Sequence, residues 1–118
     1  MILVDTSVWT DYFRNVVSDQ TDALDALLET EPILIGDLIL TEVLQGFGDD
    51  EQFRVAQRLF DADSVTLIGL GSREIAIKAA KNHRTLSARG ITVRKTIDAI
   101  IATRCIEDGL TLLHSDPD

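Results

Sequence analysis

The chain begins MILVDTSVW, residues 1–9. Residues 1–4 form a short apolar run rich in strand-forming side chains, and Asp5 ends that run abruptly. Thr6 and Ser7 follow, and either residue can cap a helix that carries the aromatic side chain just beyond them. A continuous apolar run bounded in this way is typical of a strand that is buried on both faces. The opening therefore predicts the first strand of a parallel sheet, followed at once by a helix.

The same alternation of apolar runs and helical periodicity continues to the end of the chain. Further strands are predicted at residues 33–35, 65–68 and 111–114. Helices are predicted at residues 8–13, 21–29, 37–44, 51–60, 72–87 and 97–107. Strands that are each separated by helices specify a parallel sheet with helices on both faces. We therefore expect one α/β domain over residues 1–118, with three layers (α/β/α) and a central, mostly parallel sheet of about four to five strands.

Composition restricts the class of protein. The 118 residues are 45% hydrophobic and include only two prolines, so the chain can fill a core and is not a disordered segment. Cys105 is the only cysteine, which excludes an internally disulfide-bonded secreted scaffold. No apolar run approaches the ~20 residues of a membrane span, and no signal peptide leads the chain. We expect a cytoplasmic protein with no membrane partner.

The charge is unevenly distributed. The net charge is −9, and residues 1–72 hold three basic and fourteen acidic side chains, whereas residues 73–104 hold eight basic and two acidic ones. Such a basic stretch either faces a phosphate backbone or is a solvated helix face with a loop, and charge alone leaves both interpretations open. The candidates for phosphate contacts are Lys78, Lys81, Arg84, Arg89, Arg94 and Lys95.

Four acidic residues from distant parts of the chain are expected near one edge of the sheet. In open parallel sheets, sites form beyond the carboxyl ends of the strands. Asp5 follows the first strand, Glu42 lies in the helix after the second, and Asp116 follows the fourth. Asp98 lies in the first turn of the helix that follows the basic loop at residues 90–95. Each of them has an ordinary alternative role as a turn, surface or helix-dipole residue.

Clustered carboxylates would repel one another, and a hard divalent cation relieves that repulsion. Oxygen ligands favour Mg²⁺ or Mn²⁺, whereas the single cysteine and two separated histidines do not offer a zinc ligand pattern. No glycine-rich nucleotide-binding motif and no nucleophilic serine motif is present. The sequence thus predicts a site for Mg²⁺ or Mn²⁺, with one or two ions.

Four blocks of the sequence together resemble the PIN-domain ribonucleases of the VapC toxin type. The blocks are ILVDTSVW (2–9), LTEVLQG (40–46), TIDAIIA (96–102) and LLHSDPD (112–118), and they occur in the family's order along the whole chain. The resemblance implies a PIN-like fold and a metal-dependent endoribonuclease, the toxin of a toxin–antitoxin pair. Such a protein would be inhibited by a VapB-type antitoxin and would form a homodimer.

The resemblance also assigns residues. Asp5, Glu42, Asp98 and Asp116 match the family's acidic catalytic and metal-binding positions, and Asp118 is accessory to them. Thr6 and Ser115 match hydroxyl positions that steer these carboxylates by hydrogen bonds. The basic side chains of residues 73–95 would then hold an RNA backbone.

The end of the chain departs from the family pattern. The family usually has Asp-Arg-Asp-Phe where this sequence has DPD, residues 116–118, so we expect the usual C-terminal tail to be absent.

A second interpretation is a catalytically silent, cation-binding α/β module with a regulatory or binding role. Phosphoacceptor receiver domains share the predicted architecture and also gather acids around Mg²⁺. They normally place an acidic pair after the first strand and a lysine after the last, whereas here Thr6 and Ser7 follow Asp5. Metal-dependent cutting of RNA would distinguish the enzyme from the binding module.

Overall fold

A computed structural model describes residues 1–91 and 95–115 of the chain. The elements follow the predicted alternation of strands and helices. In chain order they are β1 (Ile2–Val4), α1 (Thr6–Phe13), α2 (Asp19–Thr30), β2 (Ile33–Gly36), α3 (Asp37–Gln45), α4 (Asp50–Phe60), β3 (Val65–Ile68), α5 (Arg73–Ala88), α6 (Thr96–Asp108) and β4 (Thr111–Leu113). The predicted α/β class is confirmed. None of the described helices is both long enough and apolar enough to cross a membrane.

The described strands form one parallel sheet in the order β3-β2-β1-β4. In β1, Leu3 pairs with Leu34 of β2 on one side and with Leu112 of β4 on the other. The side chains of Leu3 and Val4 are fully buried, and all four residues of β2 are buried. This double burial explains why both strands are continuous apolar runs in the sequence.

The structure divides into two compact units. The first comprises residues 1–68 and the C-terminal segment from Thr111, and it contains the sheet. Its aromatic core is centred on the fully buried Trp9, whose ring lies 4.8 Å from that of Phe60 and 6.1 Å from that of Phe13. The helical spacing of Trp9 and Phe13 therefore places both rings of α1 in this aromatic core.

The second unit comprises residues 69–110 and consists mainly of α5 packed on α6. Ile75 and Ala79 of α5 are buried, and the amide of Asn82 donates a hydrogen bond to the Thr103 hydroxyl at 3.2 Å. Gly109 ends α6 with a φ of +63°, a conformation that disfavours residues with a Cβ. The helix therefore ends one residue beyond the end predicted from the sequence, residue 107.

The predicted helix starts were partly wrong. The residues that precede α1, α3 and α6 are Asp5, Gly36 and Lys95, whereas Thr6 or Ser7 was expected as the cap of α1. In each case the backbone of the preceding residue is extended and its side chain makes no capping hydrogen bond, although in α3 the Leu38 amide donates to Asp37 Oδ1 at 2.8 Å. Residue type therefore misplaced the starts of α1 and α6 by two residues and one residue, because the backbone conformation defines the cap, whereas the predicted start of α3 at residue 37 is confirmed. Ser72 does cap α5, since its hydroxyl accepts from the Ile75 amide at 3.1 Å.

Lys78 links the two helices of the second unit electrostatically. Its Nζ atom lies 2.9 Å from Glu74 Oε1 in α5 and 2.8 Å from Glu107 Oε2 in α6. The hydrogen bonds to Glu107 and Glu74 raise the pKa of Lys78 well above its ordinary value of 10.5. The hydrogen bond from Lys78 in turn lowers the pKa of Glu74 below 4.5.

The central position of β1 leads to a stability prediction. We expect Leu3→Ala to lower the free energy of unfolding by about 2–5 kcal/mol, because it removes a fully buried side chain between two strands. The matched control is Leu67→Ala in the edge strand β3, where the side chain is 56% exposed and the expected change is within about 0.5 kcal/mol. Urea denaturation followed by circular dichroism measures both. Equal losses in the two variants would contradict the burial of β1.

The Lys78 ion pairs lead to a pH prediction. We expect Lys78→Gln to be less stable than the wild type, because the variant loses both pairs. The lowered pKa of Glu74 means that the pair's contribution is fully present above about pH 4.5 and is lost as the pH falls through the folded-state pKa. The raised pKa of Lys78 means that the contribution is fully present below about pH 10.5 and is lost as the pH rises through its folded-state pKa.

The denaturation midpoints of the wild type and the Lys78→Gln variant should therefore differ most between about pH 5 and 10 and converge in acid. Urea titrations across this pH range measure the difference. A gap that stays constant down to about pH 2 would show that the ion pairs do not stabilise the second unit.

Candidate active site

Asp5 lies where β1 ends and α1 begins. Its amide donates to the carbonyl oxygen of Leu113 at 2.9 Å, which fixes the end of β1 against β4. Its own carbonyl oxygen accepts from the amides of Val8 and Trp9 at 3.2 and 3.3 Å and so starts the helix. The Asp5 carboxylate makes no capping hydrogen bond. An aspartate in this position usually caps the helix, so this carboxylate keeps its oxygen atoms available for another partner.

Ser7 holds the Asp5 carboxylate in place. The Ser7 hydroxyl donates to Asp5 Oδ2 at 2.9 Å, and its oxygen accepts from the amide of Ser115 at 3.4 Å. From the sequence, Ser7 was expected only as a helix cap, and this contact was not predicted. Its position two residues after Asp5, in the first turn of α1, is the signal that would have found it, because side chains of a first turn lie close to the preceding residue.

Glu42 is held beside the residue that follows Asp5. The Thr6 hydroxyl donates to Glu42 Oε1 at 3.2 Å, although the two residues are 36 positions apart. Glu42 lies in α3, which begins directly after β2, and β2 is the parallel neighbour of β1. Both residues are half-buried. The structure thus brings Asp5, Thr6, Ser7, Glu42 and Ser115 together in the first unit, at the carboxyl edge of the sheet.

The other predicted acids lie in the second unit or outside the described residues. Asp98 lies in the first turn of α6, as expected, and is exposed in the second unit. Asp116 and Asp118 lie outside the described residues. Among residues 1–91 and 95–115, no three histidine, cysteine, aspartate or glutamate side chains are grouped so that they could hold a metal ion. The contacts seen in the first unit therefore connect two of the four predicted acids.

The arrangement suits a hard cation better than proton transfer. The atoms that could bind a cation are the carboxylate oxygens of Asp5 and Glu42. Each carboxylate is held by a hydroxyl that donates a hydrogen bond to one of its oxygens and leaves the other oxygen for a cation. Carboxylate oxygens on half-exposed side chains are what Mg²⁺ and Mn²⁺ bind, with water completing the coordination. The chemistry of the donor set therefore fits the predicted ion.

The predicted phosphate contacts fall into two groups. Lys78 is already paired with two carboxylates, as described above. The side chains of four others are exposed: Lys81, Arg84, Arg89 and Lys95. Arg94 lies outside the described residues.

Comparison with protein families gives one match over almost the whole chain. The model of the PIN domain matches residues 2–118. Two similar curated proteins are the VapC ribonuclease Mb1587 of Mycobacterium bovis and ribonuclease VapC11 of Mycobacterium tuberculosis. Each is 34% identical to this chain over 125 residues, which cover 100% of this chain and 88% of the relative.

Solved structures share the fold at lower sequence identity. VapBC2 of Rickettsia felis, bound to a DNA fragment from its promoter, has a TM-score of 0.74 at 20% identity and covers 95% of this chain and 86% of its own. VapC20 of Mycobacterium tuberculosis, a Sarcin-Ricin loop cleaving toxin, has a TM-score of 0.74 at 15% identity. The match covers 100% of this chain and 92% of VapC20. The solved structures show the fold, whereas the family match and the curated relatives show the family. The chain belongs to the PIN-domain family, among the VapC ribonucleases.

Proposed function

We propose that this chain is the toxin of a toxin–antitoxin pair and hydrolyses RNA phosphodiester bonds at the carboxyl edge of its sheet. The observation that carries the proposal is the hydrogen bond from Thr6 to Glu42, which holds a second carboxylate beside the residue that follows Asp5. Asp98 and Asp116 enter the proposal through their match to the family's acidic positions, with Asp118 accessory to them. The single domain over residues 1–118 likewise remains a proposal, supported by the uninterrupted family match.

VapC ribonucleases with a PIN domain generally depend on a divalent metal, and we propose Mg²⁺ or Mn²⁺ here. A divalent cation, when bound, would lower the pKa of a water molecule and neutralise charge on the phosphate oxygens. Asp5 and Glu42 would bind it through the oxygen atoms that face away from Ser7 and Thr6. The two hydroxyls would keep the carboxylates from rotating, and such support around a metal is worth about 10–100-fold in affinity or activity.

We also propose a VapB-type antitoxin as partner. A protein of the same fold has been solved as a toxin–antitoxin complex from Klebsiella pneumoniae. Residues 1–68 of this chain hold fourteen acidic and three basic side chains, which favours a basic partner segment. A surface groove of about 360 Å³ in this unit combines the aromatic rings of Phe13 and Phe47 with the carboxylates of Asp49 and Glu51. It would accept an apolar side chain next to a basic one.

Two further proposals rest on the family alone. We propose a homodimer, which light scattering on the purified chain would test. We also propose a cytoplasmic location, where the chain's only cysteine, the buried Cys105, would stay reduced.

The first test removes the two carboxylates. We expect Asp5→Asn and Glu42→Gln each to lower RNA cleavage by at least about 100-fold, because each loses a metal ligand while keeping its shape. Cleavage of a labelled RNA pool with Mg²⁺ or Mn²⁺, against EDTA, measures the effect. The matched controls are Asp22→Asn and Glu29→Gln in α2, which are exposed and should cleave like the wild type.

Circular dichroism should show all four variants folded. Full activity of Glu42→Gln, or cleavage by the wild type in EDTA, would contradict the proposed function. Binding of RNA without any cutting in either metal would instead support the cation-binding module considered above.

The second test addresses the hydroxyl that holds Glu42. Thr6→Val keeps the side-chain volume but removes the donor, so we expect cleavage to fall about 10–100-fold and more metal to be needed for half-maximal rate. Thr10→Val, one turn further along α1, is the control and should change neither quantity. An unchanged metal requirement in Thr6→Val would show that the hydrogen bond does not position a ligand.

A further inference from the structure

The second unit keeps most of its acidic groups occupied internally. Residues 69–110 hold eight basic and four acidic side chains. Glu74 and Glu107 are paired with Lys78, and Asp108 Oδ2 lies 2.6 Å from Arg104 Nε. Three of the four acids are thus neutralised by only two of the eight basic residues. The excess charge that this unit presents to solvent is therefore positive, on a chain whose net charge is −9.

Part of this positive charge lies along one face of α5. At about 100° of rotation per residue, positions 73, 77, 81 and 84 share a face because they are spaced by three or four residues. Arg73, Lys81 and Arg84, which we call the basic stripe, are all exposed, and the side chain of Ile77 between them is 48% exposed. Among residues 1–91 and 95–115, neither Lys81 nor Arg84 forms an ion pair.

The contacts of α5 with α6 show that the basic stripe faces away from α6. Lys78 bonds to Glu107, and Asn82 bonds to Thr103, so the α6 side of the helix carries positions 75, 78, 79 and 82. The stripe is rotated by roughly half a turn from these positions. Packing within the unit therefore does not explain its charge.

We propose that the basic stripe binds the phosphate backbone of a single RNA strand, and that Lys78 has no part in that contact. This inference rests on the proposed ribonuclease function. The stripe runs from residue 73 to residue 84, about 16 Å along the helix, a length over which one nucleic-acid strand presents several phosphates. Residues 1–68 repel a polyanion because acidic side chains outnumber basic ones there by fourteen to three. RNA must then be held by a local positive surface, which α5 supplies.

An acidic protein segment is the other candidate ligand for the basic stripe, and the amount of apolar surface on this face distinguishes it from RNA. A protein that docks on a helix face is expected to bury a cluster of apolar side chains at the centre of the contact. The exposed face of α5 offers Ile77 between its charges, and the neighbouring exposed positions are alanine, serine, threonine, histidine and charged residues. A row of cations with little apolar surface favours phosphate contacts over a protein interface.

The test measures binding rather than cleavage. The dissociation constant of a single-stranded RNA is measured in EDTA at a series of salt concentrations, for the wild type and the double variant Lys81→Gln/Arg84→Gln. Each phosphate contact in a single strand contributes about 0.7 to the slope of log affinity against log salt, so the slope should become shallower by about 1.4. At ~0.1 M salt this corresponds to a loss of about 25-fold in affinity, which should vanish near 1 M.

A matched control separates the stripe from net charge. Arg54→Gln/Arg58→Gln removes the same two charges from exposed positions of α4 and should leave the slope unchanged. Lys78→Gln should also leave the slope unchanged, because its ammonium is held by two carboxylates. With metal added, the stripe variant should show a raised KM and an unchanged kcat.

The outcomes distinguish the two proposals. If the wild type cleaves RNA and the stripe variant keeps the wild-type salt slope, the proposal that the basic stripe binds RNA is wrong and the ribonuclease function stands. If the slope depends on the stripe but the wild type cuts no RNA in Mg²⁺ or Mn²⁺, the ribonuclease function is wrong and the stripe stands. An unchanged slope together with weaker binding of a copurified antitoxin would assign the stripe to a protein partner and overturn the inference.

Discussion

The parallel pairing of β1 with both of its neighbours is the constraint on which the site depends. Because β2, β1 and β4 run in the same direction, their carboxyl ends lie at the same edge of the sheet. The hydrogen bond from the Asp5 amide to Leu113 continues the β1–β4 pairing to the first residue of the site. Residues 5, 42 and 115 are far apart in the chain and meet here because the strands before them end together. The buried side chains of Leu3 and Val4 hold the strand that makes this possible.

Residues at strand ends were predictable from the sequence, whereas the contacts between them were not. Asp5 and Glu42 could be placed because apolar runs mark the strands, and because sites in parallel sheets form beyond the carboxyl ends of the strands. Ser7 was missed because a serine after an aspartate at a helix start has several local roles, and only the fold selects one. The pairing of Lys78 with Glu107, 29 residues away, requires the packing of α5 on α6, which helical periodicity alone does not specify.

The helix starts show the same limit on a smaller scale. The start predicted at residue 72 lies within one residue of the observed start of α5, where the Ser72 side chain performs the capping, whereas Asp5 precedes α1 without using its carboxylate for this purpose. A capping rule based on residue type fails at the position where the side chain serves the site instead. The mismatch between the rule and the structure at Asp5 thus coincides with the residue on which the proposed chemistry depends.

The change from acidic to basic sequence nearly coincides with the boundary between the two compact units. The sequence changes from strongly acidic to basic near residue 73, and the compact units divide at residue 69. The first unit offers carboxylates to a cation and to a basic partner, and the second offers cations to a polyanion. This division explains how a chain with a net charge of −9 can act on RNA, because the long-range repulsion is opposed by a local surface of the opposite sign.

Paramagnetic broadening by Mn²⁺ tests the central claim most directly. In a two-dimensional amide spectrum of the wild type, small additions of Mn²⁺ should first broaden the resonances of Thr6, Ser7 and Glu42, because the ion would bind to the two carboxylates held by these hydroxyls. Glu42→Gln should abolish this early broadening. If the first resonances to broaden are instead those of the exposed acidic run Asp49–Glu51, with Thr6 and Glu42 unaffected, the carboxyl edge of the sheet is not the metal site.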